Sequence, residues 1–388
     1  MNLQLTEEQE LVIAMVRRFV RDEILPVEYD LDPDADELDP ADRSRLIEKT
    51  KEMGLYGLDI PPAFGGPDID LVTRTLMAVE MAQHRAGLYA PCYGTFGGAG
   101  LAQLYEATEE QKEKYLYPTL RGEKRGFFGL SEPSGGSDPA RAIQTKAVQD
   151  GDDWIINGGK LWISGADKAQ YGLVFARTAN DQGRNGVTCF IVDTDTPGFA
   201  VRRIVHTLRS AHYATELSFE DMRVPAKNIL GELNKGFAIA NDRLTKQRIP
   251  YAAGCIGVAI KAQEMALEYV PQRETFGAPL SSRQSIQWML VDNEIDIKQS
   301  LWVTLEAAAK AQRGEPFRKE AAMAKLVATE AGGRVVDRCM QMFGGLGVAK
   351  DLPFERWFRE MRIRRIGEGP SEVQRHVIAR ELLGSSLR

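Results

Sequence analysis

Residues 366–375 read IGEGPSEVQR and set one carboxylate, Glu368, between two glycines and ahead of a proline. Glycines strip side-chain bulk from both flanks, so a substrate can approach this acid closely enough for it to act as a general base. The plain alternative is a solvated loop glutamate, since no second carboxylate, histidine or metal ligand stands beside it. In WIINGGKLWIS, Trp162 and Ser164 are two residues apart and share a strand face: a flat aromatic and a hydroxyl that can hold a planar heterocycle and donate to its edge, or a sheet aromatic that only packs. FGLSEPSGGSD (128–138) is either an ordinary turn or a loop whose small residues let backbone N–H groups meet an anion or a ring edge. Arg273 in QRETFGAPLSSRQ lies between two helical patterns, where a phosphate can meet guanidinium and backbone N–H together, unless the arginine is merely solvated. The cluster Arg362, Arg364 and Arg365 reads as a surface or interface feature, and the double glycine in QMFGGLG (341–347) reads as a helix cap.

These residues sit in a chain of 388, long enough for two or three domains. The net charge of −6 argues against general affinity for nucleic acid, and no apolar run is long enough to span a membrane. Four scattered cysteines without CxxC spacing, and an N-terminus without signal-peptide character, point to a reducing, cytoplasmic setting. The histidines at 84, 206, 212 and 376 lack zinc spacing, so no metal is expected. GGAG, GGLG and GEGPSE each miss the third glycine of a Rossmann fingerprint, and no GK[ST] occurs.

The elements that must position the candidates come in three textures. Helical spacing dominates 1–125, where Thr6 and Gln9 form a capping box, Pro26 is expected to stop the first helix, and a second helix covers Ala41–Met53 before Gly54. Short β-branched and aromatic runs fill 126–232, with Asn157-Gly158-Gly159 expected as a hairpin turn. Long helical patterns return over 233–388, at Ser281–Arg313 and Pro316–Phe343, and a last helix begins at Pro370.

Five ordered stretches together resemble the acyl-CoA dehydrogenase family over essentially the whole chain: Leu130–Asp138, Asn157–Ser164, Arg273–Leu280, Gln341–Gly347 and Glu368–Gln374. The resemblance implies an α+β multidomain fold with an N-terminal helical domain, a central antiparallel β barrel-like domain and a C-terminal four-helix bundle. It also implies FAD, a homotetramer, a role in fatty acid metabolism, and an electron-transfer flavoprotein as acceptor. Carried onto this chain, Glu368 is the catalytic base that takes the α proton of an acyl-CoA while hydride leaves Cβ for flavin N5, giving a trans-2-enoyl-CoA. Phe128, Leu130, Ser131, Trp162, Ile163 and Ser164 line the flavin. Arg273, Thr275, Phe276, Gln284, Gln341, Gly344 and Gly345 meet its adenine-diphosphate end, and Pro370 and Ser371 open the last helix beside it. Ser137, Thr245, Arg248, Gly369 and Arg380 bind the CoA thioester, Ser137 also lying by the cofactor.

Three positions depart from the family's common pattern: Gly367 stands where a tyrosine often precedes the base, Pro370 replaces a threonine, and Thr245 stands where some members have aspartate. Loss of the aromatic before Glu368 is expected to widen the acyl pocket for a branched, cyclic or bulky group. Gln247 cannot take a proton, so it offers no rival base. The alternatives on the same fold are an acyl-CoA oxidase, a flavin monooxygenase or a desulfinase; a helical scaffold without cofactor is a third reading.

Overall fold

Thr6 caps helix α1 (Glu7–Phe19) as the spacing predicts, its hydroxyl accepting from Gln9 N while the Gln9 side chain accepts from Thr6 N. The computed structural model describes residues 5–98, 100–179, 185–209 and 214–384, so His212 lies outside the described residues. Pro26 does not stop the first helix. A π-helical turn over Val20–Ile24 widens the ladder so that Leu25 N reaches Val20 O, and α2 (Leu25–Tyr29) continues through the proline. The same device recurs between α5 (Glu109–Gln111) and α6 (Tyr117–Leu120), where a π turn over Lys112–Leu116 precedes Pro118. An i→i+5 turn shifts the ladder by one residue just where the proline lacks a donor.

Helices α3 (Pro40–Glu52) and α4 (Leu71–Met81) complete the first segment. Buried Glu28 ties it together by accepting from His84 Nδ1 (2.7 Å), Tyr93 Oη (2.7 Å), Arg85 N (2.9 Å) and Ala86 N (3.0 Å). His84 Nε2 accepts from Cys92 N, so the imidazole is the neutral tautomer protonated on Nδ1. Burial raises the Glu28 pKa, while the hydrogen bonds from His84, Tyr93 and Arg85 N pull it below the usual carboxylate range.

The chain divides into two compact units, Met1–Gly97 with Thr245–Arg388, and Gly98–Leu244. The first unit thus draws on most of the 1–125 segment and on the 233–388 segment. Val79 and Leu88 share a buried core with Ile249, Ile256, Val335, Phe354 and Trp357. Its long helices are α8 (Gly236–Tyr269, whose first turns belong to the other unit), α9 (Gln284–Gln312), α10 (Arg318–Phe343), α11 (Phe354–Arg364) and α12 (Ser371–Leu383).

In the second unit, β1 (Gly126–Gly129) leads through the short α7 (Pro139–Ala142) to β2 (Lys146–Asp150), β3 (Asp153–Ser164), β4 (Tyr171–Arg177), β5 (Val187–Asp193), β6 (Phe199–Val205), β7 (Ala214–Pro225) and β8 (Ile229–Leu230). They pair in the order β6-β7-β3-β2-β4-β5-β8, with β1 alongside β4. Most pairings are antiparallel as expected, but β1 and β2 each run parallel to β4. Asn157-Gly158-Gly159 is not a turn: β3 passes straight through it. Gly158 (φ +144°) makes a bulge against β7, where a Cβ would fall 2.7 Å from Thr145 Cα, and Asn157 exchanges hydrogen bonds with Asp221 across it. The hairpin turn lies earlier, at Gly151 (φ +63°), between β2 and β3.

Candidate active site

Between α11 and α12 the chain makes a tight turn that carries Glu368 in the left-handed region (φ +54°), followed by Gly369 at φ +91°. Glycine tolerates that conformation, whereas a glutamate held there costs about 1–3 kcal/mol, so other contacts must hold it. They come from two helices. Gln374 Nε2 on α12 donates to Gly369 O (2.8 Å) and Glu368 O (3.2 Å). From α10, Lys325 Nζ donates to Gly369 O (2.8 Å) and Arg365 O (3.4 Å), and its side chain is fully buried. Pro370 is the N-cap of α12; buried Ser371 opens that helix and its hydroxyl donates to Glu330 Oε1 (2.6 Å).

Around this turn the unit gathers positive charge. Arg248 on α8 is buried, and its Nε and Nη1 have no hydrogen-bond partner. Burial is the main force pulling its pKa down to about 10; Arg318 adds to this and Glu368 opposes it. Two orphaned donors on a buried guanidinium fit an oxygen-rich ligand, because leaving them unsatisfied is costly. Thr245, one turn earlier, is also buried. Arg364 is not the surface charge expected: it is buried, donates to Leu88 O, and its guanidinium lies 4.0 Å from the Tyr251 ring and 4.2 Å from the Tyr89 ring. The planar, weakly hydrated guanidinium suits stacking between two aromatics.

Gly367 does not leave the void expected of it. A Cβ built there would fall 2.6 Å from Tyr251 Oη, so the phenol from α8 already fills the space a side chain before the base would need. The ring is held by Arg364, and a wider pocket does not follow from this glycine.

Elsewhere in the same unit, Arg273 is exposed, and Thr275 belongs to the short pair β9 (Glu274–Thr275) and β10 (Ala278–Pro279). Phe276 at the tip has φ +51° and is fully exposed. Gln284 is the first residue of α9; Gln341 lies in the last turn of α10, with Gly344 (φ +60°) and Gly345 just beyond, and all four are exposed. Arg380 is exposed in the last turn of α12.

The other unit carries the second set. Trp162 bulges from β3 at φ +66° and is 56% exposed; Ser164 is also exposed, and Ile163 between them points into the sheet core. Trp162 and Ser164 are thus both open to solvent on either side of buried Ile163, an aromatic and a hydroxyl available to a planar heterocycle. Leu130 is buried, so it and Ile163 can offer such a ligand only backbone atoms. Leu161 N donates to Ser131 O (3.0 Å), bringing the 128–138 loop alongside Trp162. Phe128 packs at a tilt against Phe175 (ring centroids 4.9 Å) under the Arg243 guanidinium, and Ser137 is exposed on the loop.

What ties the two motifs together is a pair that spacing did not flag. Lys160 Nζ, fully buried, donates to Glu132 Oε1 (2.7 Å), Phe175 O (2.6 Å) and Leu130 O (3.3 Å). Glu132 also accepts from Gln144 N (2.6 Å) and Thr145 N (3.1 Å). Spacing marks none of Lys160, Lys325, Tyr251 and Arg364 as a site residue; for Lys325 the available signal is a cation inside an apolar run, AAMAKLVATEA.

Three family models, described as the acyl-CoA dehydrogenase N-terminal, middle and C-terminal domains, match residues 6–123, 127–222 and 234–383. The chain is 39% identical to the probable acyl-CoA dehydrogenase YngJ of Bacillus subtilis over 99% of this chain and 100% of that protein. It is 38% identical to the short-chain specific acyl-CoA dehydrogenase of Clostridium acetobutylicum, over 98% and 99%. Among solved structures, butyryl-CoA dehydrogenase from Megasphaera elsdenii is similar with a TM-score of 0.85 and 34% identity, covering 99% of this chain and 100% of that one. With its motifs in order and its whole length matched, the chain belongs to the acyl-CoA dehydrogenase family.

Proposed function

We propose that this protein is an FAD-dependent acyl-CoA dehydrogenase in which Glu368 removes the α proton of the thioester. The observation that carries the reading is the Glu368 turn: a carboxylate in a left-handed conformation, its backbone tied by Lys325 and Gln374, beside a buried arginine with donors to spare. Bound FAD supplies the acceptor for the hydride that leaves Cβ. Trp162 and Ser164, with backbone of Leu130, Ser131 and Ile163, would hold its ring system; Arg273, Thr275, Phe276, Gln284, Gln341, Gly344 and Gly345 would hold its adenine-diphosphate end. Arg248 and Ser137, with Thr245, Gly369 and Arg380, would hold the CoA ester. Glu368 then accepts the α proton on its carboxylate, a positioned base contributing on the order of 10²–10⁴-fold.

Tyr251 filling the space beside Gly367 supports a short, unbranched acyl group, and the short-chain and butyryl relatives point the same way. Dehydrogenation is favoured over the oxidase, monooxygenase and desulfinase readings because relatives at 39% and 38% identity, matched over 99–100% of their lengths, are a probable acyl-CoA dehydrogenase and a short-chain specific acyl-CoA dehydrogenase. An electron-transfer flavoprotein as acceptor, a homotetramer, a place in fatty acid metabolism and a cytoplasmic location complete the proposal. The assembly is supported by an exposed apolar stripe on α9: Trp288, Val291, Ile295 and Trp302. Among the described residues no helix is long and apolar enough to cross a membrane.

The test is anaerobic titration of the yellow protein with an acyl-CoA panel. Bleaching of the flavin band by butyryl-CoA, lost in Glu368→Gln while the flavin stays bound, is the expected result. Absence of bleaching with every acyl-CoA, or an unimpaired E368Q variant, would overturn it. Preference for a branched or cyclic acyl-CoA would sink the short-chain assignment alone.

A further inference from the structure

We propose that Lys325 is a positioning residue for the base: its buried ammonium grips the backbone on both sides of Glu368 and so fixes where that carboxylate stands. The inference rests on the reading of Glu368 given above.

The geometry is specific. Nζ donates to Gly369 O at 2.8 Å and to Arg365 O at 3.4 Å, one carbonyl after the glutamate and one before it. Arg365 O also accepts from Ser371 N (3.2 Å), and Gly369 O also accepts from Gln374 Nε2, so the turn is pinned from α10 and α12 together. Gln374 cannot substitute for the lysine, because it reaches the C-terminal side of the turn only. A residue in a left-handed conformation keeps it only while its surroundings over-determine it. Without Lys325, the N-terminal half of the turn loses its one side-chain donor among the described residues, and Glu368 can relax toward ordinary backbone.

The charge on Lys325 faces Arg248, Tyr251 and Cys255 on α8, Arg364 on α11 and Glu368 in the turn. Burial is the chief reason its pKa falls to about 8, with the two arginines lowering it further and Glu368 and Cys255 opposing. The ammonium therefore gives way to an amine inside the range where turnover can be followed. An amine still donates but brings no positive charge to face Glu368.

The experiment compares wild type, Lys325→Met and Lys325→Arg as holoenzymes. K325M keeps the side-chain length without donors; K325R keeps donors and stays charged throughout. For K325M we expect kcat to fall by roughly 10–100-fold, the scale of a slight misplacement of a reacting group, with KM changed far less. K325R should recover part of kcat, and the wild-type inflection in kcat near pH 8 should vanish in both variants. A second readout needs no turnover: amide exchange of the 366–371 peptide should quicken in K325M and not in a control peptide from α9. Wild-type kcat with unchanged exchange in K325M overturns the proposal, as does an equal loss in K325R and K325M with the pH 8 inflection retained. Should K325M not fold, Lys325→Leu, which also lacks donors, carries the same comparison. If the wild-type protein oxidises no acyl-CoA, the function assigned to Glu368 fails, and the exchange result then decides the positioning role by itself.

Discussion

Among the described residues two lysines are fully buried, Lys160 and Lys325, and their surroundings differ. Lys160 faces a carboxylate, Glu132, at 2.7 Å and closes a local knot between β3 and the 128–138 loop. Lys325 takes only backbone carbonyls as acceptors, and its countercharge is the more distant Glu368. A buried pair in good geometry neutralises itself, and the loop it ties becomes a fixed part of the scaffold. A buried cation without such a partner keeps its electrostatic cost, offset in part by its attraction to Glu368, the proposed base. The two lysines show desolvated charge used in two ways: paired within a loop at Lys160, and held against a backbone turn at Lys325.

The largest effect expected of this contrast is on Lys160. Lys160→Met leaves Glu132 buried without its cation and should cost about 3–5 kcal/mol, read as a fall in denaturation midpoint and in retained FAD. Replacing both members by apolar residues should return much of that loss; if the double variant is no better than the single, the knot is held by something other than the pair.

Next comes the pH dependence of stability. The Lys325 pKa falls from 10.5 to about 8 on folding, so the unfolded chain binds more protons between those values. The folded state is therefore penalised below pH 8, and the penalty is relieved as pH rises from 8 to 10.5, by about 3 kcal/mol at 1.36 kcal/mol per pH unit. Relative to K325M, the wild type should gain thermal stability across that window. A constant difference between the two would show that Lys325 does not titrate there. At neutral pH, K325M itself should be destabilised far less than K160M, because it strands no buried carboxylate in an ion pair.

The smallest effect tests the wall of the pocket. Gly367→Ala must displace Tyr251 Oη and should cost about 1–3 kcal/mol, as overpacking does. Tyr251→Phe should relieve much of it, a coupling measurable in a double-mutant cycle. Tyr251→Ala should also admit longer or branched acyl-CoAs; unchanged acyl preference would remove Tyr251 from the pocket.

Much of the fold was legible because it depends on local chemistry. Thr6 with Gln9, the strand texture between Phe127 and Leu230, and Gly54 closing the second helix (φ +69°) all express short-range preferences. Pro26 and Asn157-Gly158-Gly159 misled for one reason: each is a strong local breaker that neighbouring structure absorbed, by a π turn in one case and a bulge against β7 in the other. At the site, Glu368, Trp162 and Ser164 stood out by type and spacing. Gly367 was legible as a glycine but not as an occupied space, because its filler lies on α8, more than a hundred residues away in sequence. Arg364 looked exposed among arginines, since nothing local announces the two aromatic rings that enclose it.

By itself, then, the sequence determined the order of helical and strand segments, the family, and which residues carry reactive groups, since these follow from residue type and near-neighbour periodicity. Only the tertiary structure decided which charges are desolvated and what they face: that Lys160 meets Glu132, that Lys325 meets the carbonyls around Glu368, and that Tyr251 occupies the space beside Gly367. The physical reason is that burial and electrostatic partnership belong to the three-dimensional surroundings of a group, which are assembled from distant parts of the chain.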